Sequence, residues 1–252
     1  MSRDWDASTY DRVSTPHQAW AGALLDRLAL TGTETVLDAG CGSGAVTAQL
    51  LQRVPQGKVY AVDVAPSMVA HTRAALGARG VEVLQQDLTE LSLPEPVDAI
   101  FSSATFHWIP DHPKLFTALF AALAPGGRLV AQCGGFGNID AFRLISDQVA
   151  FTEEPFAPYF RDWKRPWNYA TAEDTVVRLG AAGFVDAEAW LVDMPTPIDD
   201  PPTYARTVVL VRHVDALPEA LRDRFVARVL SLCPQPFVLD YVRLNLMATR
   251  PR

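Results

Sequence analysis

Between residues 36 and 44 the chain reads Val-Leu-Asp-Ala-Gly-Cys-Gly-Ser-Gly, and no other stretch restricts its fold as tightly. Val36, Leu37 and Ala39 read as the end of a buried strand, and Ala45 to Leu51 as a helix. Gly40, Gly42 and Gly44 open a loop between them. Glycine admits positive φ and close approach of a ligand to the backbone, and the helix start offers N–H groups with no partner inside the helix. A strand passing through a glycine loop into a helix is therefore an anion- and nucleotide-cradling unit. By itself the loop leaves the ligand open, because Gly40-x-Gly42-x-x-Ala45 also fits the looser dinucleotide fingerprint.

Carboxylates around the loop narrow the choice. Asp38 precedes the first glycine by two residues, Asp63 closes the strand-like run 58–62, and Asp87 follows a third run at 81–86. Three strand-end acids on one rim suit a ligand with a cationic end, a ribose diol and an adenine amino group. S-adenosylmethionine has all three, whereas Asp38 would repel a pyrophosphate.

As a set, VLDAGCGSG, AVDVAPSMV and QQDL resemble the glycine loop, ribose acid and adenine acid of class I S-adenosylmethionine-dependent methyltransferases, over roughly residues 10 to 135. Tyr10-Asp11 and the stretch SSATFHWIPDHPKLF (102–116) are similar to the small-molecule carboxyl methyltransferases of the trans-aconitate and malonyl-carrier-protein types. The resemblance implies a Rossmann-like fold, S-adenosylmethionine as cofactor, and the site residues that follow. Asp38 helps hold the methionine ammonium, and Gly40, Cys41, Gly42 and Gly44 meet the methionine part, with Cys41 a small loop residue. Asp63 accepts the ribose hydroxyls. Asp87 accepts the adenine amino group with the Leu88 N–H on a ring nitrogen, and Val64 and Met68 line the adenine slot. Tyr10 closes over the cofactor or pins the arm to the body. Trp108 faces the sulfonium, an attraction of roughly 0.5–2 kcal/mol, and His107 is a general base or a structural histidine. If the acceptor is a carboxylate no base is needed, and Tyr159, Arg161, Arg165 and Arg206 are candidate anchors for it.

The rest of the chain alternates strand and helix, which specifies an α/β fold: a doubly wound, seven-stranded, mostly parallel sheet. Its ligands bind outside the carboxyl ends of the strands. A first helix is expected from Pro16 to Leu30 and a tight turn at Pro125-Gly126-Gly127. A sixth strand is expected over 185–192, a linker from Pro195 to Pro202, helices near 203–216 and 219–232, and a last strand at 237–247. By the resemblance, that strand runs antiparallel between the fifth and sixth. The aromatic-rich segment 136–170, with 195–235, reads as a helical lid over the substrate. Residues 1–135 hold the arm and cofactor core, and 171–194 with 236–252 complete the sheet.

Hydrophobic residues make up 49% of the 252, enough for a sizeable core. A net charge of −7 with no long basic run argues against a nucleic-acid partner. No apolar run reaches a membrane span. Three scattered cysteines and a polar, acidic N-terminal stretch unlike a secretory signal lead to the expectation of a cytoplasmic protein. The histidines lack zinc-site spacing, so no metal is expected. The expected activity is metal-independent methyl transfer to a small molecule, with oxygen the expected acceptor atom and a carboxylate among the options. An NAD(P)-dependent oxidoreductase using the same loop and a non-catalytic module of the same fold are the alternatives. Oligomeric state has no signature in the sequence.

Overall fold

The computed structural model describes residues 20, 22 and 24–252. The expected arm and the start of the first helix lie outside the described residues. Where that helix ends is visible: the turn Asp26–Leu28 is closed by Ala29 in the left-handed region, whose N–H bonds the Asp26 carbonyl. The helix therefore stops at Leu28, two residues before the expected Leu30.

Seven strands form one sheet in the order β3-β2-β1-β4-β5-β7-β6. They are β1 (Thr35–Ala39), β2 (Lys58–Asp63), β3 (Val81–Gln85), β4 (Val97–Ser103), β5 (Leu123–Gly134), β6 (Val185–Pro197) and β7 (Val238–Thr249). Neighbours from β3 to β5 pair in parallel, and β7 runs antiparallel to β5. The mostly parallel, seven-stranded sheet with an antiparallel last strand is as the sequence indicates. Helices α1 (Ala45–Arg53), α2 (Pro66–Leu76), α3 (His112–Ala122) and α5 (Ala172–Ala181) belong to this part of the chain, and α4 (Asp140–Thr152), α6 (Pro201–Tyr204), α7 (Val211–Ala216) and α8 (Glu219–Leu232) to the rest. Pro66 starts α2 at a position where its missing N–H costs nothing, and the Thr171 hydroxyl caps α5 by accepting from Asp174 N–H.

Period-two alternation divides the core between the two faces of the sheet. Leu37, Tyr60, Ile100 and Leu129 pack in one cluster, and their neighbours Val36, Val59, Phe101 and Val130 in the other. Both faces are apolar because both are covered, the condition for a parallel sheet. With β2 on one side of β1 and β4 on the other, the chain reverses direction across the sheet at β1. The glycine loop leaves β1 at that switch point, where α/β sheets open a ligand crevice.

Two further expectations are corrected. Pro125-Gly126-Gly127 is no separate turn but a bulge within β5: Leu123 pairs with Val97 and Arg128 with Ala99, so residues 124–127 bow out opposite Asp98. The bulge is held by Gly126 N–H on the Arg250 carbonyl (2.9 Å) and Arg250 N–H on the Gly127 carbonyl (2.8 Å). Nor is 195–202 all linker, since β6 continues through Pro197. β6 is the edge strand, and there a proline's missing N–H costs no ladder bond.

Contacts divide the chain into two compact units. The first comprises residues 1–136, 168–192 and 243–252, and the second 137–167 and 193–242. The second unit has its own aromatic core. Phe160 stacks on Phe225 (5.7 Å between centroids), Phe156 meets Phe225 edge-on (5.2 Å), and Trp163 lies against His213 (4.6 Å). A two-pronged ion pair, Arg228 on Glu153 at 2.7 and 2.9 Å, ties α8 to the end of α4.

A candidate S-adenosylmethionine site

Backbone geometry at the glycine loop explains its composition. Gly40, Gly42 and Gly44 all have positive φ (85°, 54° and 86°). A Cβ on Gly40 would lie 2.2 Å from the Thr105 hydroxyl, so only glycine fits there. At Gly42 nothing stands within 4 Å of a Cβ position, and this side of the loop is open to a ligand. Gly44 caps α1 without a side chain, leaving the helix's first N–H groups to whatever binds beyond it.

The loop is clamped from several sides. Gly40 and Cys41 N–H groups both donate to the Val62 carbonyl at 2.8 and 3.0 Å. The Thr72 hydroxyl donates to the Gly42 carbonyl (2.8 Å), Ser102 to the Ala39 carbonyl (2.6 Å), and Thr105 to the Gly40 carbonyl (3.2 Å). Sequence reading missed these hydroxyls. The available signal was Thr47 in the first turn after the loop, which donates to Asp38 Oδ2 at 2.6 Å.

Asp38 is buried at the end of β1, and desolvation pushes its carboxyl up to about 7 despite the Thr47 bond, with the neighbouring Asp63 charge adding to the rise. Asp63 ends β2 and accepts Gly42 N–H on Oδ2 (3.0 Å) and Ala65 N–H on Oδ1 (2.9 Å). Burial raises its carboxyl too, opposed by those backbone bonds. Asp63 is thus bonded directly to the loop at Gly42, and Asp38 to the helix that follows the loop through Thr47. Asp87, exposed one strand further on, accepts both the N–H and hydroxyl of Thr89 through Oδ1. Met68 and Leu88 are buried and Val64 is exposed. Cys41 is buried, and burial, then the charges of Asp38 and Asp63, push its thiol well up, so it stays a neutral packing residue. Tyr10 lies outside the described residues.

After β4 the chain makes one turn, Phe106–Trp108. His107 is buried, its Nδ1 accepts Gly134 N–H from the end of β5 (3.3 Å), and its carbonyl accepts Asn168 N–H (2.8 Å). Its ring lies 5.1 Å from that of half-buried Trp108 and 5.8 Å from that of Tyr169. The remaining candidates belong to the second unit. There Arg165 pairs with Asp147 (2.6 Å) and Arg206 with Asp223, while Tyr159 and Arg161 are exposed.

A methyltransferase-domain family model matches residues 36–127, the stretch that carries the loop, all three acids and the His107 turn. A trans-aconitate 2-methyltransferase of Methylobacterium nodulans is 32% identical over 196 residues, 78% of this chain and 70% of that protein. One from Azoarcus sp. is 40% identical over 196 residues, covering 77% and 68%. The chain belongs to the class I S-adenosylmethionine-dependent methyltransferases of the trans-aconitate type. Its methyl donor is S-adenosylmethionine. The comparisons do not favour the oxidoreductase or the non-catalytic module.

Solved structures show how widely this methyltransferase fold is used. A Haemonchus contortus phosphoethanolamine N-methyltransferase with bound S-adenosylhomocysteine superposes at TM-score 0.64, with 19% identity, over 98% of this chain and 57% of that one. The [4+2]-cyclase SpnF superposes at 0.60, with 18% identity, over 93% of this chain and 80% of its own. The fold therefore leaves the acceptor to local chemistry. Among the described residues no helix is long and apolar enough to cross a membrane, and no group of three His, Cys, Asp or Glu could hold a metal ion.

Proposed function

We propose that this methyltransferase esterifies a carboxylate of a small-molecule acid, the chemistry named by its trans-aconitate relatives. The observation that carries the reading is the Gly134 N–H on His107 Nδ1. A neutral imidazole that accepts at Nδ1 carries its proton on Nε2. His107 is then a hydrogen-bond donor and not a base, and the nucleophile it serves has to arrive already ionised. A carboxylate does so at neutral pH, whereas an alcohol or ammonium group does not.

S-adenosylmethionine, when bound, supplies a methyl group on a sulfonium, which a carboxylate oxygen displaces in line while the carbon–sulfur electron pair leaves with sulfur and no proton moves. The chain's work is positioning. Asp38 takes the ammonium, the backbone of Gly40 to Gly44 and the start of α1 receive the methionine part, and Asp63 takes the ribose diol. Asp87 and the Leu88 N–H read adenine between Val64 and Met68. Trp108 stands beside the sulfonium, and His107 Nε2–H orients the acceptor oxygen.

His107→Asn tests this, because an amide oxygen can replace Nδ1 as acceptor for Gly134. At saturating donor and acceptor, kcat is expected to fall less than about tenfold, with a flat pH profile between pH 6 and 9. A general base would instead cost about 10²–10⁴ and impose an acid limb on the wild-type profile. That result would remove the carboxylate reading's main support.

A further inference from the structure

We propose that His112 and Arg178 are positioning residues for methyl transfer, holding in place the turn that presents His107 and Trp108. The inference rests on the reading that this turn faces the acceptor, and deepens it. His112 opens α3 and is 1% exposed, yet both its ring nitrogens have partners. Nε2 stands 3.1 Å from the Phe106 carbonyl oxygen, and Nδ1 stands 3.2 Å from Nη1 of Arg178 on α5. A guanidinium can only donate, so Nδ1 accepts and the ring's one proton is on Nε2, where it bonds the Phe106 carbonyl. An imidazolium would set two donors against each other, and burial, with the Arg178 charge, lowers the His112 pKa in the same sense. Arg178 thus selects the tautomer, and the tautomer supplies the bond.

That carbonyl belongs to the first residue of the turn Phe106–Trp108. It also accepts Ile109 N–H at 3.0 Å, so both its lone pairs are engaged and the turn is held from two directions. The rings of Phe106 and His112 both pack against Phe116 of α3, at 6.1 and 5.6 Å between centroids. The outer tether is long-range: Arg178 lies 66 residues beyond His112 and is paired at 3.5 Å with Asp174, one turn earlier on α5. In the opposite tautomer the Nε2 lone pair would face those of the carbonyl, and the turn would lose this tether.

The test compares His112→Phe, which keeps the ring packing and loses the donor, with His112→Gln, whose amide nitrogen can take the place of Nε2. Kinetics with S-adenosylmethionine and trans-aconitate, donor affinity by calorimetry and melting temperature are measured on each full-length variant. For the Phe variant kcat is expected to fall about 10–100-fold, the scale of a displaced reacting group, with donor affinity unchanged. The Gln variant should recover most of that loss. Combined with Trp108→Ala, the Phe substitution should cost much less than it does alone, because both act through one turn. An unchanged kcat in the Phe variant, or losses that multiply with those of Trp108→Ala, overturns the positioning role and leaves the reading of the turn intact. A Trp108→Ala enzyme as active as the wild type overturns both. If the Phe variant melts early, Arg178→Met decides, since it leaves the imidazole in place and removes only the group that selects its tautomer. Nitrogen-15 spectra of labelled histidines should then show His112 moving from the Nε2–H toward the Nδ1–H form, alongside a several-fold loss of kcat. The spectra need no acceptor and read the tautomer whatever acid the enzyme uses. An unchanged spectrum or an unchanged kcat refutes the proposal.

Discussion

At the scale of single residues, the site is built from groups whose burial opposes their charge. Asp38 has its carboxyl raised to about 7, well above the value of 3.8 for an exposed aspartate. The folded chain therefore holds this proton more tightly than the unfolded one, and folding stability falls as pH rises from about 4 through 7. Asp38→Asn is expected to raise the apo melting temperature at pH 8 and to weaken S-adenosylmethionine binding, which calorimetry and thermal denaturation would measure on the same sample. In the wild type, donor affinity should decline by up to about tenfold per unit as pH drops below 7, because a neutral carboxyl no longer pairs with the ammonium. Asp38→Asn should show no such slope.

His213 has the opposite sign. It sits among Phe160, Trp163, Trp167 and Phe225 with both ring nitrogens unbonded, and burial, then the Arg165 charge, push it down to about 3. The unfolded chain takes a proton near pH 6.5 that the folded chain refuses, so stability falls between about pH 6.5 and 3. His213→Phe should flatten that acid limb in denaturant titrations, and an unchanged limb would show that other groups dominate it. Asp38 and Asp63 were legible in the sequence because strand ends at a glycine loop have one geometric meaning. Thr72, Ser102 and Thr105 were not, since a hydroxyl that bonds a distant carbonyl has no periodicity.

At the scale of elements, the glycine loop is a backbone device. Gly40→Ala would place a methyl group against Thr105 and force an L-residue to φ near 85°. Such changes cost about 1–3 kcal/mol each, so the melting temperature should drop by several degrees and donor affinity by at least tenfold. The double variant Gly40→Ala, Thr105→Gly should recover only part of the stability, because it relieves the clash and not the dihedral. Full recovery would mean that the backbone conformation carries no strain. Strands β1 to β4 and helices α1 to α3 were readable because local pattern and tertiary role agree. The extension of β6 through two prolines was not, because proline marks a break everywhere except at an edge whose position only the assembled sheet reveals. The β5 bulge was hidden for the same reason: Pro-Gly-Gly encodes a turn, and its bonds to Arg250 come from the far end of the chain.

At the scale of the whole molecule, two kinds of information separate. The doubly wound sheet follows from alternation and the expected donor site from strand-end residues, and the fold recurs in structures below 20% identity such as the Haemonchus contortus enzyme. The acceptor side has no comparable motif: the candidates His107 and Trp108 stand on a single turn after β4. The expected lid segments illustrate the difference. Their aromatics read as a substrate cover, and most of them, including Phe156, Phe160 and Trp163, pack within the second unit itself.

The central claim, that the methyl group goes from S-adenosylmethionine to a carboxylate oxygen, is tested most directly by the chemical stability of the product. The enzyme would be incubated with methyl-labelled S-adenosylmethionine and trans-aconitate, and the labelled product treated with mild alkali. Label released as methanol is the predicted result, because only an ester hydrolyses under those conditions. Label that stays on the product would place the methyl on carbon and would contradict the account.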